Sequence, residues 1–215
     1  MPSKLKPGGG FEEDSRAERR RAAQVDRFGR PRMIDITEMP VSPHRAVAEA
    51  EVTVSQETLS AIVDGTNPKG DVLAVAELAG VMAGKRTSDL IPLSHPAPLT
   101  DLLVRAIPDR AASSVKIRTE TATIGPMGVE MEAMTAAAVA ALTVYDMVRD
   151  IDSSAAIGSI KLISRSGGEG DEWRRAETEG GAASAPRGVR GAGRIAPSPY
   201  RPGSPSRPIP GRHRP

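Results

Sequence analysis

Three clusters in this 215-residue chain combine residue types that can move protons or hold anions. The first, Asn67-Pro68-Lys69-Gly70-Asp71, is a turn entering a helix and sets Lys69 near the positive end of that helix, where an anion is favoured. The second runs from Gly84 to Pro96 and gathers Lys85, Arg86, Thr87, Ser88, Ser94 and His95 in a stretch stiffened by Pro92 and Pro96. A rigid polar loop of this kind is suited to holding a phosphate or a heterocycle. The third opens on Glu130-Met131-Glu132 and closes on Tyr145-Asp146-Met147-Val148-Arg149. At ~3.6 residues per turn, Asp146 follows Glu132 by nearly four turns, so the two carboxylates share roughly one helix face, with Arg149 beside Asp146. A carboxylate and a cation on an Ala-rich face are the parts of a general acid–base site.

Each cluster also has a plainer reading, and the residues alone leave both open. Lys69 serves equally as a solvated loop lysine. Lys85 and Arg86 can cap a helix C-terminus ahead of an ordinary proline loop, with His95 a satisfied structural histidine. Asp146 and Arg149 can be a surface ion pair, while Glu130 and Glu132 complement a helix dipole. The chain carries no phosphate-binding loop, dinucleotide fingerprint or HExxH sequence, and no cysteine. None of its histidines (His44, His95, His213) stands at ligand spacing, so neither a metal nor a cofactor is expected.

The elements that must position these clusters follow from patterning. Ala46 to Val54 alternates around Val47, Val52 and Val54 and predicts a half-buried strand. Ser55 as N-cap and Gly65 past the end bracket a helix over Gln56 to Asp64. Gly70-Asp71 opens a second helix to about Lys85. Leu102 to Ile107 and Val115 to Ile124 predict an antiparallel pair, Val129 to about Asp150 the longest helix, and Ile157 to Ile163 a closing strand. The expected class is α+β, an antiparallel sheet with helices packed on one face. Tyr145 is the single aromatic between Met33 and Gly168, so Ala, Val, Leu, Ile and Met must fill the core and helices must approach closely. An Ala-rich helix that is apolar on more than one side points further to a homo-oligomer.

Charge and composition delimit the folding unit. Gly180 to Pro215 holds seven Arg and no acid, and Met1 to Arg30 holds eight bases against five acids. The net charge of the whole is +2, which leaves Pro31 to Glu179 at −8. The basic pI therefore belongs to the ends, and the core is not expected to bind nucleic acid. Residues 1–30, with Arg16, Arg19, Arg20 and Arg21, and the Arg/Pro-rich 171–215 are expected to be disordered, the latter with polyproline character. No run reaches the roughly 18 apolar residues of a bilayer span, and Met1 to Gly10 lacks the apolar centre of a secretory signal. A soluble, cytoplasmic protein is expected.

Taken in order, KGDV (Lys69 to Val72), KRTSDLIPLSHP (Lys85 to Pro96), GVEMEAMTAA (Gly128 to Ala137) and TVYDM (Thr143 to Met147) closely resemble the MoaC family, the cyclic pyranopterin monophosphate synthases. Arg32 to Ile36 resembles that family's opening and Ser164 to Gly168 its closing segment, so the resemblance spans about 26–170. It implies a ferredoxin-like plait assembled as a hexamer, a trimer of dimers, with active sites at subunit interfaces. It implies a lyase that turns 3′,8-cyclo-7,8-dihydro-GTP into cyclic pyranopterin monophosphate and pyrophosphate, within molybdenum cofactor biosynthesis. Residue by residue, Asp146 matches the family's catalytic aspartate and Lys69 a lysine important for turnover. Leu93, Ser94 and His95 match one substrate-contacting stretch, Met131 and Glu132 the other, with Glu130 in the same wall. Lys85, Arg86, Arg149 and Arg165 are cation candidates for the triphosphate, Arg149 also for catalysis.

Several positions depart from the family pattern. Arg149 and Arg165 stand where the family usually has lysine, Ser94 where it often has cysteine, and Glu169 where another lysine usually follows Gly168. Arginine keeps the charge but does not readily release a proton. The alternatives are a relative that folds with weakened or lost activity, or an enzyme whose basic tail adds a binding role.

Overall fold

The computed structural model describes residues 28–168 and 172–176. The expectations for the arginine patch, for nearly all of both terminal extensions and for Glu169 fall outside those residues. Within them the chain folds as β1 (Ser42–Thr53), α1 (Gln56–Val63), α2 (Val72–Gly84), α3 (Thr87–Leu90), β2 (Leu99–Asp109), β3 (Ser114–Gly125), α4 (Glu130–Val148), β4 (Ala156–Ile157), β5 (Lys161–Gly167) and β6 (Trp173–Arg174).

The helix starts follow their predicted caps. Ser55 Oγ accepts the Thr58 N–H at 3.1 Å to open α1, and Asp71 Oδ1 accepts that of Ala74 at 3.0 Å to open α2. Gly65 follows α1 with φ +69°, a value that glycine reaches without a Cβ penalty. The strands run longer than alternation alone predicts. Ser42 to Arg45 extend β1 because they pair with Gly125 to Ala122 of β3 on one side. On the other side His44 and Arg45 pair with Gly167 and Ser166 of β5.

The expected closing strand over Ile157 to Ile163 is corrected to two pieces. Gly158 N–H bonds to the Glu51 carbonyl at 2.7 Å, ending β4, and pairing with β1 resumes only at Lys161. The folded unit also continues past Gly170. Trp173 and Arg174 pair with Arg165 and Ser164, and Arg175 donates from its backbone N–H to Ile163 and from Nε to Leu162, both at 2.8 Å.

All pairings are antiparallel, in the order β2-β3-β1-β5-β6, with β4 beside β1. The fold is thus α+β, as expected. Ala46, Ala48, Ala50 and Val52 of β1 point inward and meet the buried Ala133, Ala136, Ala137, Ala140 and Ala141 of α4. Small side chains on both surfaces let α4 lie close to the sheet, which raises the number of dispersion contacts that each methyl makes. Two threonines of β3 tie the helix down: Thr119 Oγ1 donates to the Ala133 carbonyl at 2.8 Å and Thr121 Oγ1 to that of Val129 at 3.2 Å. By length and composition α4 could cross a membrane, yet its alanine face is packed into this core.

The opposite face of the sheet is mixed: Arg118 bridges Glu49 at 2.8 Å and Glu120 at 3.0 Å, beside exposed Leu103, Ile107 and Ile124. On the β2 edge, Glu77 of α2 reaches over and accepts the Ala106 backbone N–H at 3.0 Å.

Candidate active site

An open cleft of about 1210 Å³ lies where several chain segments converge. Its walls are the strap 34–40, the start of β1 (Ser42, His44), the loop after α3 (Leu93 to Pro98), the turn 126–128, the first turn of α4 and the end of β5. Leu93, Ser94, His95, Glu130, Met131, Glu132 and Arg165, seven sequence candidates from three distant segments, line this one space.

Local chemistry explains how they are held. The α4 N-terminus has no side-chain cap, and Glu130 and Glu132 in its first turn offset the exposed N–H dipoles. Gly128 leaves room for the Glu130 carboxylate to fold back over it, in the space that any Cβ would occupy. Glu130 Oε1 then meets Arg165 Nη1 of β5 at 3.5 Å. Glu132 is turned inward and is 4% exposed. Burial pushes its carboxyl above the ordinary carboxylate range, its own backbone N–H opposes that, and the charge of Glu130 adds to the rise. A carboxyl in that state can hold a proton that a surface carboxyl has already lost.

Sequence reasoning overlooked two further lining residues. Asp35, in the strap, is held below the ordinary carboxylate range by the N–H (3.0 Å) and hydroxyl (2.7 Å) of Thr37, with Arg32 and His95 adding attraction. His44 Nε2 lies 3.0 Å from Ser42 Oγ. Next to His44, Gly167 has φ +129°, and a Cβ there would sit 2.6 Å from the imidazole Nδ1. The alternation of β1 gave no hint that its first residues reach a cleft.

The remaining candidates lie elsewhere on the chain. Lys69, Asp146 and Arg149 gather at the far end of α4, 14 residues or about 21 Å along the helix from Glu132. Lys69 Nζ donates to the Asp146 carbonyl at 2.6 Å and pairs with Asp150 at 2.8 Å. Arg149 Nε stands 3.3 Å from Asp146 Oδ1. Buried Asn67 anchors the lysine loop, since its Nδ2 donates to the Met147 carbonyl at 3.4 Å and its Oδ1 accepts the Lys69 N–H at 3.1 Å.

Lys69 precedes the Asp71 cap of α2, near the positive end of that helix as expected, and its ammonium reaches the negative, carbonyl end of α4. One expectation is corrected here. The shared helix face of Glu132 and Asp146 is not a shared environment, because Glu132 is buried and the Asp146 side chain is 62% exposed. Lys85 and Arg86 are exposed at the C-terminus of α2, outside the cleft, while Thr87 is buried and donates to the Gly84 carbonyl at 3.0 Å.

Fold and cleft together define an α+β protein whose cleft can exchange protons with a polar ligand. The sequence profile of the MoaC family matches residues 33–168. The chain is 46% identical over 155 residues to the cyclic pyranopterin monophosphate synthase of Thermomicrobium roseum, covering 72% of this chain and 93% of that one. The protein of that name from Chloroflexus aurantiacus is 45% identical over 151 residues (70% and 93%), and that of Roseiflexus sp. is 48% identical over 149 residues (69% and 94%). The chain belongs to the MoaC family.

Proposed function

We propose that this chain is a cyclic pyranopterin monophosphate synthase, a lyase that converts 3′,8-cyclo-7,8-dihydro-GTP to cyclic pyranopterin monophosphate and pyrophosphate, early in molybdenum cofactor biosynthesis. The observation that carries the reading is the convergence of Leu93–His95, Glu130–Glu132 and Arg165 on one cleft, in a chain 45–48% identical to synthases of that name.

The chemistry fits the residues. Rebuilding a purine ring requires several proton transfers, and closing a cyclic phosphate expels pyrophosphate as a hydroxyl attacks the α-phosphorus. Glu132, with its raised carboxyl, and His95 are suited to trade protons with the heterocycle. Arg165 offers a fixed positive charge to phosphate oxygens.

The cleft of a single copy is electrostatically incomplete for a triphosphate. Its described lining holds four carboxylates (Asp35, Glu38, Glu130, Glu132) against the one guanidinium of Arg165. Lys69, Asp146 and Arg149 lie too far along α4 to serve it. This supports a homo-oligomer, a hexamer built as a trimer of dimers, in which one copy's Lys69–Asp146–Arg149 cluster completes another's cleft. Exposed Val75, Leu78 and Met82 on α2, with Leu142 and Tyr145 on α4, are consistent apolar surface for such contacts. Lys85 and Arg86 remain phosphate candidates from the same neighbour. The strand order suits a ferredoxin-like plait, and a cytoplasmic location suits a nucleotide-derived substrate.

The test is turnover of enzymatically prepared 3′,8-cyclo-7,8-dihydro-GTP by the purified, assembled protein, with Asp146→Asn as control. Pyranopterin from wild type and none from the variant is expected. An inactive wild type would sink the reading.

A further inference from the structure

We infer that Asp150, which no motif singles out, is a positioning residue for Lys69: its carboxylate fixes the lysine ammonium against the end of α4. The inference rests on the reading of Lys69 as a turnover residue.

An ammonium has three N–H donors. Among the described residues two have partners, the Asp146 carbonyl at 2.6 Å and Asp150 Oδ2 at 2.8 Å, which leaves one for a ligand. The lysine backbone is already fixed through Asn67, but a four-carbon stem with several rotatable bonds separates it from the charge. Both ends of that stem must be held for the ammonium to stay in one place. The Asp146 carbonyl is an uncharged acceptor, whereas the Asp150 carboxylate adds the attraction of opposite charges to its hydrogen bond.

Asp150 also separates the two cations of the cluster. Its Oδ1 is 3.8 Å from Arg149 Nε, and Arg149 Nε is 3.3 Å from Asp146 Oδ1. The charges therefore alternate as Lys69, Asp150, Arg149, Asp146. Removing the Asp150 charge leaves Lys69 and Arg149 to repel each other and frees the lysine tip.

Within a single copy, a structural role does not account for this arrangement. Asp150 lies beyond the last residue of α4, and its side chain is 64% exposed. An ion pair that open to water contributes little to folding. Its effect falls on where Lys69 sits.

The experiment compares full-length wild type, Asp150→Asn and Asp150→Glu. The expected result is a kcat lower by roughly 10- to 100-fold in the Asn variant, the worth of one charge-assisted hydrogen bond, with KM changed far less, unaltered thermal stability and substantial recovery in the Glu variant. A second readout needs no turnover: acylation of individual lysines by a water-soluble amine reagent, followed by mass spectrometry. Lys69 should react several-fold faster in Asp150→Asn than in wild type or Asp150→Glu, with Lys161 unchanged as the internal standard. An unchanged kcat in an active protein, or an unchanged Lys69 labelling rate in any case, overturns the proposal. An inactive wild type would remove the functional reading, and the labelling rates would still decide whether Asp150 holds the lysine.

Discussion

Lys69 meets Asp146 through the main chain: its ammonium donates to the aspartate's carbonyl oxygen at 2.6 Å, while the Asp146 carboxylate turns to Arg149. The carboxylate is thus left outside the lysine's own ion pair and stays available at the surface. Main-chain tethering also makes the lysine's position independent of the charge state of Asp146.

If the cleft and this cluster come from different copies, two inactive variants should rescue each other. His95→Ala spoils the cleft and Asp146→Asn the far end of α4. Mixed from denaturant in equal amounts and reassembled, they should recover roughly a quarter of wild-type turnover, since about one site in four then draws both halves intact. Each variant alone should stay inactive. No recovery from properly assembled mixtures would mean that one chain supplies every essential group.

Glu132→Gln should abolish turnover while making the protein more stable at neutral pH. A carboxyl with a raised folded-state pKa binds its proton more tightly when folded, so stability falls as pH rises from the unfolded value of 4.5 through the folded one. Above that window the wild type carries a buried charge that the amide lacks. Thermal unfolding at pH 4 and pH 7 checks this: the variant's advantage should appear at pH 7 and shrink at pH 4.

Asp152 should give the opposite dependence. Its carboxylate accepts the Ser154 hydroxyl at 2.6 Å, the Ser55 N–H at 2.7 Å and the Ser154 N–H at 2.9 Å, and these bonds lower its pKa from 3.8 to about 2. A depressed folded-state pKa contributes stability above pH 4 that is lost as pH falls toward 2. Denaturant unfolding of Asp152→Asn at pH 7 should show a loss of about 2 kcal/mol, vanishing near pH 2. A loss independent of pH would assign the effect to packing.

The α2–α4 contact should distinguish two glycines. A Cβ on Gly80 would sit 3.0 Å from the Ala136 carbonyl oxygen, which is backbone, as well as 2.9 Å from Val104 Cγ1. On Gly84 it would meet Leu102 Cδ2 at 2.8 Å, the movable end of a side chain. Gly80→Ala should therefore cost about 1–3 kcal/mol by overpacking. Gly84→Ala should come out near neutral as helix propensity offsets the contact by about 1 kcal/mol. Equal losses in urea unfolding would contradict this account.

How far the sequence could be read depends on where the information lies. Ser55, Asp71 and Gly65 announce their helix ends because capping is local, and α1 and α2 start where those residues say. Residues 158–160 interrupt the last strand for a non-local reason, the bond from Gly158 to Glu51, so periodicity ran straight through them. Trp173 and Arg174 sit in polar, Gly-rich surroundings and become a strand only because β5 offers an edge. In the cleft, motif resemblance found Leu93 to His95, Glu130 to Glu132 and Arg165. His44 and Asp35 escaped because their relevance depends on strand register and on the path of the strap. The spacing of Glu132 and Asp146 was read correctly as an angle, but angle says nothing of the helix length between them.

Glu77 has a consequence for how this chain can associate. By taking the outward Ala106 N–H, it occupies the hydrogen-bonding position that an added strand would need at the β2 edge. The opposite edge is β6, only two residues long, too short to template another chain. Among the described residues, both features reduce the backbone groups that the rims of the sheet offer to a further strand, which turns association toward side-chain surfaces.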